Sequence, residues 1–386
     1  MIDQSARIAI LMPTFYEEAV GGSEYQAYLL AEAAKQHGHE VHYIFVSKAD
    51  HHANHLGLEL HPMRPHPFSK RLGATWSLYY RTVMRLLEAI QPDVVYVRGG
   101  WSFAGMGALY ARRSGCKSVW HVASEMDVTP RRVLRLLGRP LDIVERKLID
   151  YAIRHSTHVV AQATYQADLL EKHYRRAATV IRQFQPHPEE AIGKTSPVRV
   201  VWIANLKPLK QPAVFLRLAR EFRDSDGVTF TMIGRPCTGR QMGEVEAGLR
   251  ELRNVEYLGE QPMSEVNRIL ASAHILVNTS LYEGVPNTFV QAWMRGVPVV
   301  SMLVDPDGVL RAEGIGCVST SFEQMVKDVK ELVDAADLRD EMGRRARTHA
   351  MEHHSLERNM PELMQLLCGI VEHESYVTVR RAREKA

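Results

Sequence analysis

Short continuous apolar runs alternate with amphipathic stretches along most of the chain. Continuous runs are typical of parallel strands buried on both faces, and helical spacing is typical of the stretches between them. In the first half, the runs predict strands at 7–12, 39–47, 92–100, 116–128 and 157–162. The intervening stretches predict helices at 23–38, 103–115 and 164–174, the first of them capped by Ser23. This alternation predicts an α/β protein with a doubly wound sheet.

The segment 185–197 interrupts this pattern, because it carries proline, glycine and glutamate without periodicity. We interpret it as a linker between a domain at 1–186 and a domain at 197–360. The second domain has predicted strands at 198–204, 228–234, 255–258, 274–279 and 297–301, and predicted helices at 211–223, 238–252, 264–272, 322–353 and 355–373. Two doubly wound domains joined by a linker are expected to leave a cleft, where ligands usually bind.

Composition and charge narrow the class of protein. Hydrophobic residues make up 45% of the chain and charged residues 24%, as in ordinary globular proteins. A net charge of +3 is too small to argue for nucleic acid as a partner. The four cysteines form no CxxC pair, so we expect neither a disulfide framework nor a zinc site. With no signal-peptide pattern and no run of about 18 apolar residues, we expect a cytoplasmic protein.

The stretch 281–302 is the strongest candidate for a binding site. Glu283 stands in a turn before a predicted helix, for which Asn287 and Thr288 are good N-caps. Gln291 lies one helical turn after Asn287, and free N–H groups at a helix start bind anions. Together these features suit a nucleotide sugar, with phosphate at the helix start and hydroxyls on Glu283 and Gln291. The alternative is a solvated loop acid and a surface amide.

Several polar loops are expected along one rim of the first sheet, because ligands bind at the carboxyl ends of parallel strands. The loop Gly21-Gly22 lets the backbone approach a ligand closely, although it also suits a plain tight turn. The other loops are Arg98–Gly100, His121–Asp127 and Gln162–Gln166. Without further information, His121 is more often a packed structural histidine than a functional one.

Two basic segments, 64–87 and 130–156, interleave arginine and lysine with leucine, valine and isoleucine. This pattern is typical of peripheral contact with an anionic membrane surface. It is equally typical of a helix whose apolar side faces the core and whose basic side is solvated.

The chain resembles the retaining GT-B-fold glycosyltransferases of family four. The resemblance rests on Gly-Gly-x-Glu at 21–24, Gly-His-Glu-Val at 38–41, Lys-Pro-Leu-Lys-Gln-Pro at 207–212 and Glu-Gly-x-Pro-Asn at 283–287. It implies two Rossmann-like domains facing a central cleft, with a C-terminal helix at about 365–386 that returns to the N-terminal domain. It also implies sugar transfer from a nucleotide-diphosphate sugar, UDP-linked in preference to GDP-linked. The implied acceptor is a glycan or a lipid-linked molecule of cell-envelope or exopolysaccharide synthesis.

The resemblance gives roles to residues of 281–302. Glu283 matches the first glutamate of the family's Glu-x7-Glu motif, which contacts hydroxyls of the donor sugar. The second glutamate, which holds the ribose, falls on Gln291, so this chain keeps a hydrogen-bonding group and lacks the charge. The backbone from Val285 through Pro286 and Asn287 to Thr288 is implied to bind the donor.

The resemblance also implies a diphosphate site. Lys210 matches the diphosphate-binding lysine, whereas the family's preceding arginine falls on Asn205. Lys207 is a candidate for the missing charge. Gly22 matches the glycine that lies against the diphosphate. Lys210, Glu283 and His121, which matches the histidine beside the reacting sugar, are the implied catalytic residues.

The remaining implied contacts lie in other loops. The loops Gly234-Arg235-Pro236 and Leu258-Gly259-Glu260 fall where the family holds the nucleobase. Glu24, Arg98 and Asp127 are candidates on the acceptor side.

We expect no metal and no cofactor other than the donor substrate. The letters Asp305-Pro306-Asp307 follow the strand 297–301 and are predicted to form a turn. Two alternatives stay open: a non-catalytic GT-B protein that binds a glycan or a partner, favoured by Asn205 and Gln291, and a nucleotide-sugar epimerase on the same fold.

Overall fold

The computed structural model describes residues 5–18, 21–49, 54–55, 57–66, 76–130, 140–188, 193–236 and 240–369. These residues form two compact units. The first contains the described residues up to Gln183 together with those from Glu357 onward, and the second is Phe184–Leu356. The parts of the basic segments at 67–75 and 131–139, and the predicted tail helix beyond 369, lie outside the described residues.

The first unit is built on a mostly parallel sheet. Its described strands are β1 (Arg7–Leu11), β2 (Glu40–Val46), β3 (Asn54–His55), β4 (Leu58–Met63), β5 (Val94–Arg98), β6 (Lys117–His121), β7 (His158–Ala161) and β8 (Thr179–Val180). They lie in the order β3-β4-β2-β1-β5-β6-β7-β8, and only β3 and β4 pair antiparallel among them. The order reverses at β1, which pairs with both β2 and β5.

Helices pack against this sheet. They are α1 (Gly22–Gln36), α2 (Tyr80–Ile90), α3 (Ser102–Ser114), α4 (Glu125–Val128), α5 (Pro140–His155) and α6 (Thr164–Tyr174). The helix α14 (Leu356–Cys368) also belongs to this unit from Glu357 onward. Its Asn359 side chain donates to the carbonyl oxygen of Arg182 at 3.1 Å. Helix α14 therefore belongs to the first unit from Glu357 onward. The returning helix predicted at about 365–386 lies mostly outside the described residues and stays a prediction.

The second unit has an all-parallel sheet among its described residues. The strands are β9 (Val198–Ile203), β10 (Val228–Ile233), β11 (Val255–Tyr257), β12 (Ile275–Asn278), β13 (Val299–Ser301) and β14 (Gly316–Val318), in the order β11-β10-β9-β12-β13-β14. The chain adds strands on one side of β9 and then returns to β12 on its other side. Such a reversal leaves a crevice at the carboxyl ends of the two strands, where ligands bind.

The helices of the second unit are α7 (Pro212–Arg220), α8 (Arg240–Glu251), α9 (Met263–Ser272), α10 (Asn287–Met294), α11 (Val309–Ala312), α12 (Phe322–Asp334) and α13 (Ala336–His353). The core on one side of the sheet contains a group of aromatic residues among aliphatic ones. Trp202, Phe215 and Phe230 are buried there, and the rings of Phe215 and Phe230 lie 5.7 Å apart, edge to face. Burial of such rings is a main source of stability in a domain of this kind.

The described parts of the two basic segments face the core. In α2, Val83, Met84, Leu87 and Ile90 are buried. In α5, Ala152 and Ile153 are buried, and the backbone of Leu148 lies against α3 at Gly105. These apolar faces are therefore used inside the first unit. In the part of the chain that the structure describes, no helix is long and apolar enough to cross a membrane.

Some predicted element ends are wrong. Gly21, not Ser23, is the N-cap of α1, because its carbonyl accepts the first helical hydrogen bond, from Tyr25. The predicted strand 116–128 ends at His121, because Ser124 and Asp127 form a capping box that begins α4. The predicted helix 322–353 breaks at Ala335, whose φ of −105° and ψ of 90° are not helical.

His274 makes the second unit sensitive to acid. Its side chain is buried, and Nδ1 accepts a hydrogen bond of 3.0 Å from the backbone N–H of Arg199. Burial, with the nearby charges of Arg339 and Lys194, lowers the pKa of His274 from 6.5 to about 4. The unfolded chain therefore binds more protons at this histidine between these two values. The contribution of neutral His274 to stability is complete above about pH 6.5 and is lost as the pH drops toward 4.

We expect His274→Asn to flatten this dependence, because an asparagine oxygen can accept from Arg199 and does not titrate in this range. The measurement is the thermal unfolding midpoint from pH 7 to pH 4, with His173→Asn, at an exposed histidine of α6, as the control. An asparagine variant whose midpoint falls as steeply as that of the parent chain would contradict the assignment.

Candidate functional site

The reversal between β9 and β12 brings two distant loops together. One loop follows β9 and runs through a short 3-10 turn, Pro208–Lys210, and the other links β12 to α10. The backbone N–H of Leu281 donates to the carbonyl oxygen of Leu209 at 3.0 Å, so the loops are joined directly. The segments Asn205–Gln211 and Thr279–Gln291 form what is called here the switch-point site.

Lys210 and Glu283 form an ion pair at the switch-point site. They are 73 positions apart in the chain and were predicted separately. Both are mostly buried, with 21% and 16% of their side chains exposed, so solvent screens the pair less than it screens a surface pair. The hydroxyl of Ser280 also donates to Oε1 of Glu283, at 2.7 Å. Since an ammonium group has three donors, Lys210 can keep Glu283 while binding a further anion.

Thr279 fixes the loop that carries Lys210. Its side chain is fully buried, and its hydroxyl oxygen accepts from the indole N–H of Trp202 at 2.8 Å. The same hydroxyl faces the carbonyl oxygens of Lys210 and Gln211 at 2.6 and 3.1 Å. The backbone on both sides of the Lys210–Glu283 pair is therefore fixed by buried hydrogen bonds, which preorganises the charges.

The start of α10 differs from the predicted capping. Pro286 is the N-cap and Asn287 is the first helical residue, and neither Asn287 nor Thr288 caps the helix through its side chain. The predicted capping role of these two residues is wrong, because Pro286 already has the extended backbone of an N-cap at φ −65° and ψ 125°. The side-chain oxygen Oδ1 of Asn287 is buried without a hydrogen-bond partner. Gly284 and Val285 are buried beside it.

Gln291 lies one turn further along α10 and is 2% exposed. Its side-chain nitrogen donates to Oδ1 of Asn267 at 3.1 Å and to Sδ of Met263 at 2.7 Å, both on α9. The amide is thus oriented by helix packing. Its predicted contact with a ribose stays a prediction.

Asn205 and Arg235 connect the loops after β9 and β10. Oδ1 of Asn205 accepts from the backbone N–H of Arg235 at 3.3 Å, and Leu206 N–H donates to the Arg235 carbonyl at 3.0 Å. The Arg235 guanidinium makes two bonds to Glu260, of 2.8 and 2.7 Å. This hydrogen-bonded partner raises the pKa of Arg235. Asn205 therefore positions the next loop where the family has an arginine.

Gly259 and Lys207 are the other residues of the second unit that were predicted to bind the donor substrate. Gly259 has φ +68° at the end of β11, a conformation that favours glycine. Its carbonyl accepts from Gly234 N–H at 2.8 Å, which ties two neighbouring loops together. Lys207 is exposed, and its backbone N–H donates to Asn205 O at 2.7 Å.

In the first unit, the predicted glycine loop precedes α1. Gly21 has extended backbone, and a Cβ there would meet Oε2 of Glu24 at 2.1 Å, so the carboxylate folds back over the helix start. Thr14 Oγ1 donates to Oε1 of Glu24 at 3.3 Å. Gly22 is exposed as the first residue of α1. Its role against a diphosphate stays a prediction.

His121 and Arg98 lie side by side at the ends of β6 and β5, paired in register. Nη1 of Arg98 lies 3.0 Å from Nδ1 and 3.1 Å from Nε2 of His121, and the Tyr96 hydroxyl lies 2.8 Å from Nδ1. Burial and the Arg98 charge lower the pKa of His121 well below its usual value, so the ring is neutral. His121 is 0% exposed and Arg98 1%. In this arrangement they form a buried polar pair, and their roles at a reacting sugar and an acceptor stay predictions.

The side chain of Asp127 accepts hydrogen bonds from the nearby backbone. Its Oδ2 accepts from the N–H groups of Ala123 and Ser124, each at 2.9 Å, and a Cβ on Gly100 would meet its Oδ1 at 2.3 Å. Its acceptor-side role stays a prediction.

The letters Asp305-Pro306-Asp307 form the predicted turn. A 3-10 turn covers Pro306–Gly308, and Oδ1 of Asp305 accepts from Leu310 N–H at 2.8 Å. Within the described ranges, no cluster of three His, Cys, Asp or Glu side chains has the geometry of a metal site.

Two site residues were missed from the sequence: Thr279 and Ser280. Thr279 and Ser280 directly follow the buried run of β12, so their place at the carboxyl end of a central strand was the available signal. Glu260 stands in the predicted nucleobase loop, but its pairing with Arg235, 25 positions away, was not predicted.

Solved structures first define the class of fold. Anabaena HepE, solved in complex with UDP and glucose, matches with a TM-score of 0.73 and 16% identity over 95% of this chain and 100% of that chain. WaaG, described as a glycosyltransferase involved in lipopolysaccharide biosynthesis, matches with a TM-score of 0.75 and 15% identity over 94% of this chain and 100% of that chain. The predicted GT-B fold is confirmed.

Sequence comparison then identifies the family. The model of Glycosyltransferase Family 4 matches residues 20–184, and that of Glycosyl transferases group 1 matches residues 197–337. The chain therefore belongs to the GT-B glycosyltransferases, as its resemblance to them predicted. Glycosyltransferase 1 domain-containing protein 1 of Xenopus tropicalis is 24% identical over 159 residues, which are 41% of this chain and 46% of that protein. The match thus spans about half the length of that relative.

Proposed function

We propose that this glycosyltransferase transfers a sugar from a nucleotide-diphosphate sugar, with UDP as the favoured nucleotide. The observation that carries the proposal is the Lys210–Glu283 pair at the switch-point site. A cation beside a carboxylate matches a donor that has a diphosphate beside a hydroxyl-bearing sugar. The UDP in the HepE structure supports the same nucleotide.

The reaction breaks the bond between the anomeric carbon and the phosphate oxygen. A bond forms between that carbon and the acceptor oxygen on the same face, and the acceptor proton goes to the leaving phosphate. Lys210 and the N–H groups at the start of α10 stabilise the charge that develops on the leaving group. Glu283 accepts hydrogen bonds from sugar hydroxyls and fixes the position of the anomeric carbon. No step requires a metal ion in this proposal.

The proposed acceptor is a glycan or a lipid-linked molecule. Among the described residues, five large hydrophobic side chains are exposed, and three of them follow β12 and β13: Leu281, Tyr282 and Leu303. These three side chains, in loops that follow neighbouring strands, support an acceptor with an apolar part. The description of WaaG as acting in lipopolysaccharide biosynthesis is consistent with such an acceptor.

The proposal predicts that the purified chain releases UDP from a UDP-sugar in excess EDTA, and that NMR of the first product shows the anomeric configuration of the donor. The reason is that Lys210 and the α10 N–H groups replace a metal at the diphosphate. A panel of UDP- and GDP-sugars, each tested with candidate acceptors, identifies the donor.

Loss of turnover in EDTA that Mn²⁺ or Mg²⁺ restores would contradict the metal-free mechanism. An inverted product would contradict front-face transfer. Binding of a nucleotide sugar without any release of UDP would favour the non-catalytic alternative instead.

A further inference from the structure

Gln211 has a backbone conformation that a glutamine rarely adopts. It stands between the Pro208–Lys210 turn and α7, with φ 50° and ψ 56°. This left-handed conformation costs free energy for a residue with a Cβ, whereas glycine adopts it without that cost. Pro212 follows directly and restricts the backbone of Gln211 further.

The backbone contacts of Gln211 account for the turn, but they do not explain why this position carries a glutamine side chain. Its N–H donates to the Pro208 carbonyl at 3.2 Å, and its carbonyl faces the Thr279 hydroxyl at 3.1 Å. A glycine would make both contacts equally well. The side-chain oxygen Oε1 is buried and has no hydrogen-bond partner. A buried amide oxygen without a donor is unfavourable, so the side chain adds a second cost at this position.

The position of Gln211 beside Lys210 indicates a role for its side-chain amide. Gln211 directly follows Lys210, and Thr279 fixes the carbonyls of both residues. Gln211 is therefore a residue of the switch-point site and stands next to the predicted diphosphate contact. Strained backbone and unsatisfied polar groups are concentrated at functional sites, where a ligand supplies the missing partner.

We propose that Gln211 is a further donor-binding residue, whose Oε1 accepts a hydrogen bond from a hydroxyl of the bound nucleotide sugar. The proposal rests on the donor site proposed above. The partner is a hydroxyl and not a phosphate, because ionised phosphate oxygens are acceptors and would repel an amide oxygen. A hydroxyl of the transferred sugar and a hydroxyl of the ribose offer the same chemistry.

The test is Gln211→Gly, which keeps the backbone conformation and removes the amide. We expect the variant to unfold at the same or a higher temperature than the parent chain, because the left-handed conformation is relaxed. We expect the Kd for UDP-glucose, or for the UDP-sugar that the parent binds, to rise about two- to tenfold, the effect of one neutral hydrogen bond.

Gln91→Gly is a matched control. Gln91 is an exposed glutamine with φ 50° at the end of α2, in the first unit. Its replacement relaxes the same conformation without touching the switch-point site, so it should leave the Kd unchanged. Titration with UDP and with 2′-deoxy-UDP separates the two sources of the hydroxyl. A UDP-sugar Kd that weakens while the UDP Kd does not assigns the transferred sugar, and a UDP Kd that weakens while the 2′-deoxy-UDP Kd does not assigns the ribose 2′-hydroxyl.

Equal Kd values for the parent and Gln211→Gly would overturn this proposal and leave the donor site standing. A parent chain that binds neither UDP nor any nucleotide sugar would overturn both. Should the glycine variant fail to fold, Gln211→Asn serves in its place, because asparagine tolerates the left-handed conformation and its shorter amide cannot reach the same hydroxyl. A Kd for Gln211→Asn equal to that of the parent would also overturn the proposal.

Discussion

Replacing Lys210 with alanine is expected to weaken donor binding, turnover or both by roughly tenfold to over a hundredfold. Removing a hydrogen bond to a charged group costs about 1.5–3 kcal/mol, which corresponds to that range. The variant also removes the ammonium group that pairs with the mostly buried Glu283. Asn205 cannot supply the charge, because it is neutral and its amide oxygen holds the Arg235 backbone.

Lys330→Ala is the control for Lys210→Ala, since Lys330 is an exposed lysine on α12 of the same unit. The donor Kd and the rate of UDP release are measured for both variants and for the parent. If Lys210→Ala equals the parent in both quantities, the assignment of the diphosphate site is wrong.

Gly234→Ala is expected to destabilise the second unit by roughly 3 kcal/mol or more. Gly234 has φ +151°, and a Cβ there would lie 1.7 Å from the carbonyl oxygen of Ala204. The nearest atom is backbone, so relief requires β9 and β10 to move apart at their carboxyl ends. That movement would also disturb the Asn205–Arg235 contact beside the switch-point site. For a unit of this size, the unfolding midpoint should fall by roughly 6–12 °C.

Gly227→Ala is the matched control, because it lies just before the same strand and a Cβ there meets no atom closer than 3.9 Å. Its unfolding midpoint should stay close to that of the parent chain. A Gly234→Ala variant as stable as Gly227→Ala would show that the loops after β9 and β10 are not held in the described positions.

The order of the main elements could be predicted because each central strand is a continuous apolar run. The runs at β1, β5, β9 and β12 were each recognised within two residues at either end. The short strands β3 and β8 were missed, since two residues carry no periodicity. β4 was missed because its polar positions and its proline do not resemble a buried strand.

Part of the site could also be predicted, because Lys210 and Glu283 carry recognisable motifs. Their direct pairing could not be predicted, because the two residues are 73 positions apart. They meet only because β9 and β12 are neighbouring strands of the sheet. The conformation of Gln211 could not be predicted either, because nothing in its local sequence demands a positive φ. The complete burial of His121 depends on packing between β5 and β6, which a single strand pattern does not reveal.

The central claim is that the switch-point site binds the diphosphate of the donor. Calorimetric titration of UDP and of uridine into the parent chain and into Lys210→Ala tests it most directly, because the two ligands differ only in the diphosphate. We predict that the parent binds UDP much more tightly than uridine. In Lys210→Ala, the ratio of the Kd for uridine to the Kd for UDP should fall at least tenfold, while the Kd for uridine is unchanged. A preference for UDP over uridine that is the same in both proteins would contradict the claim.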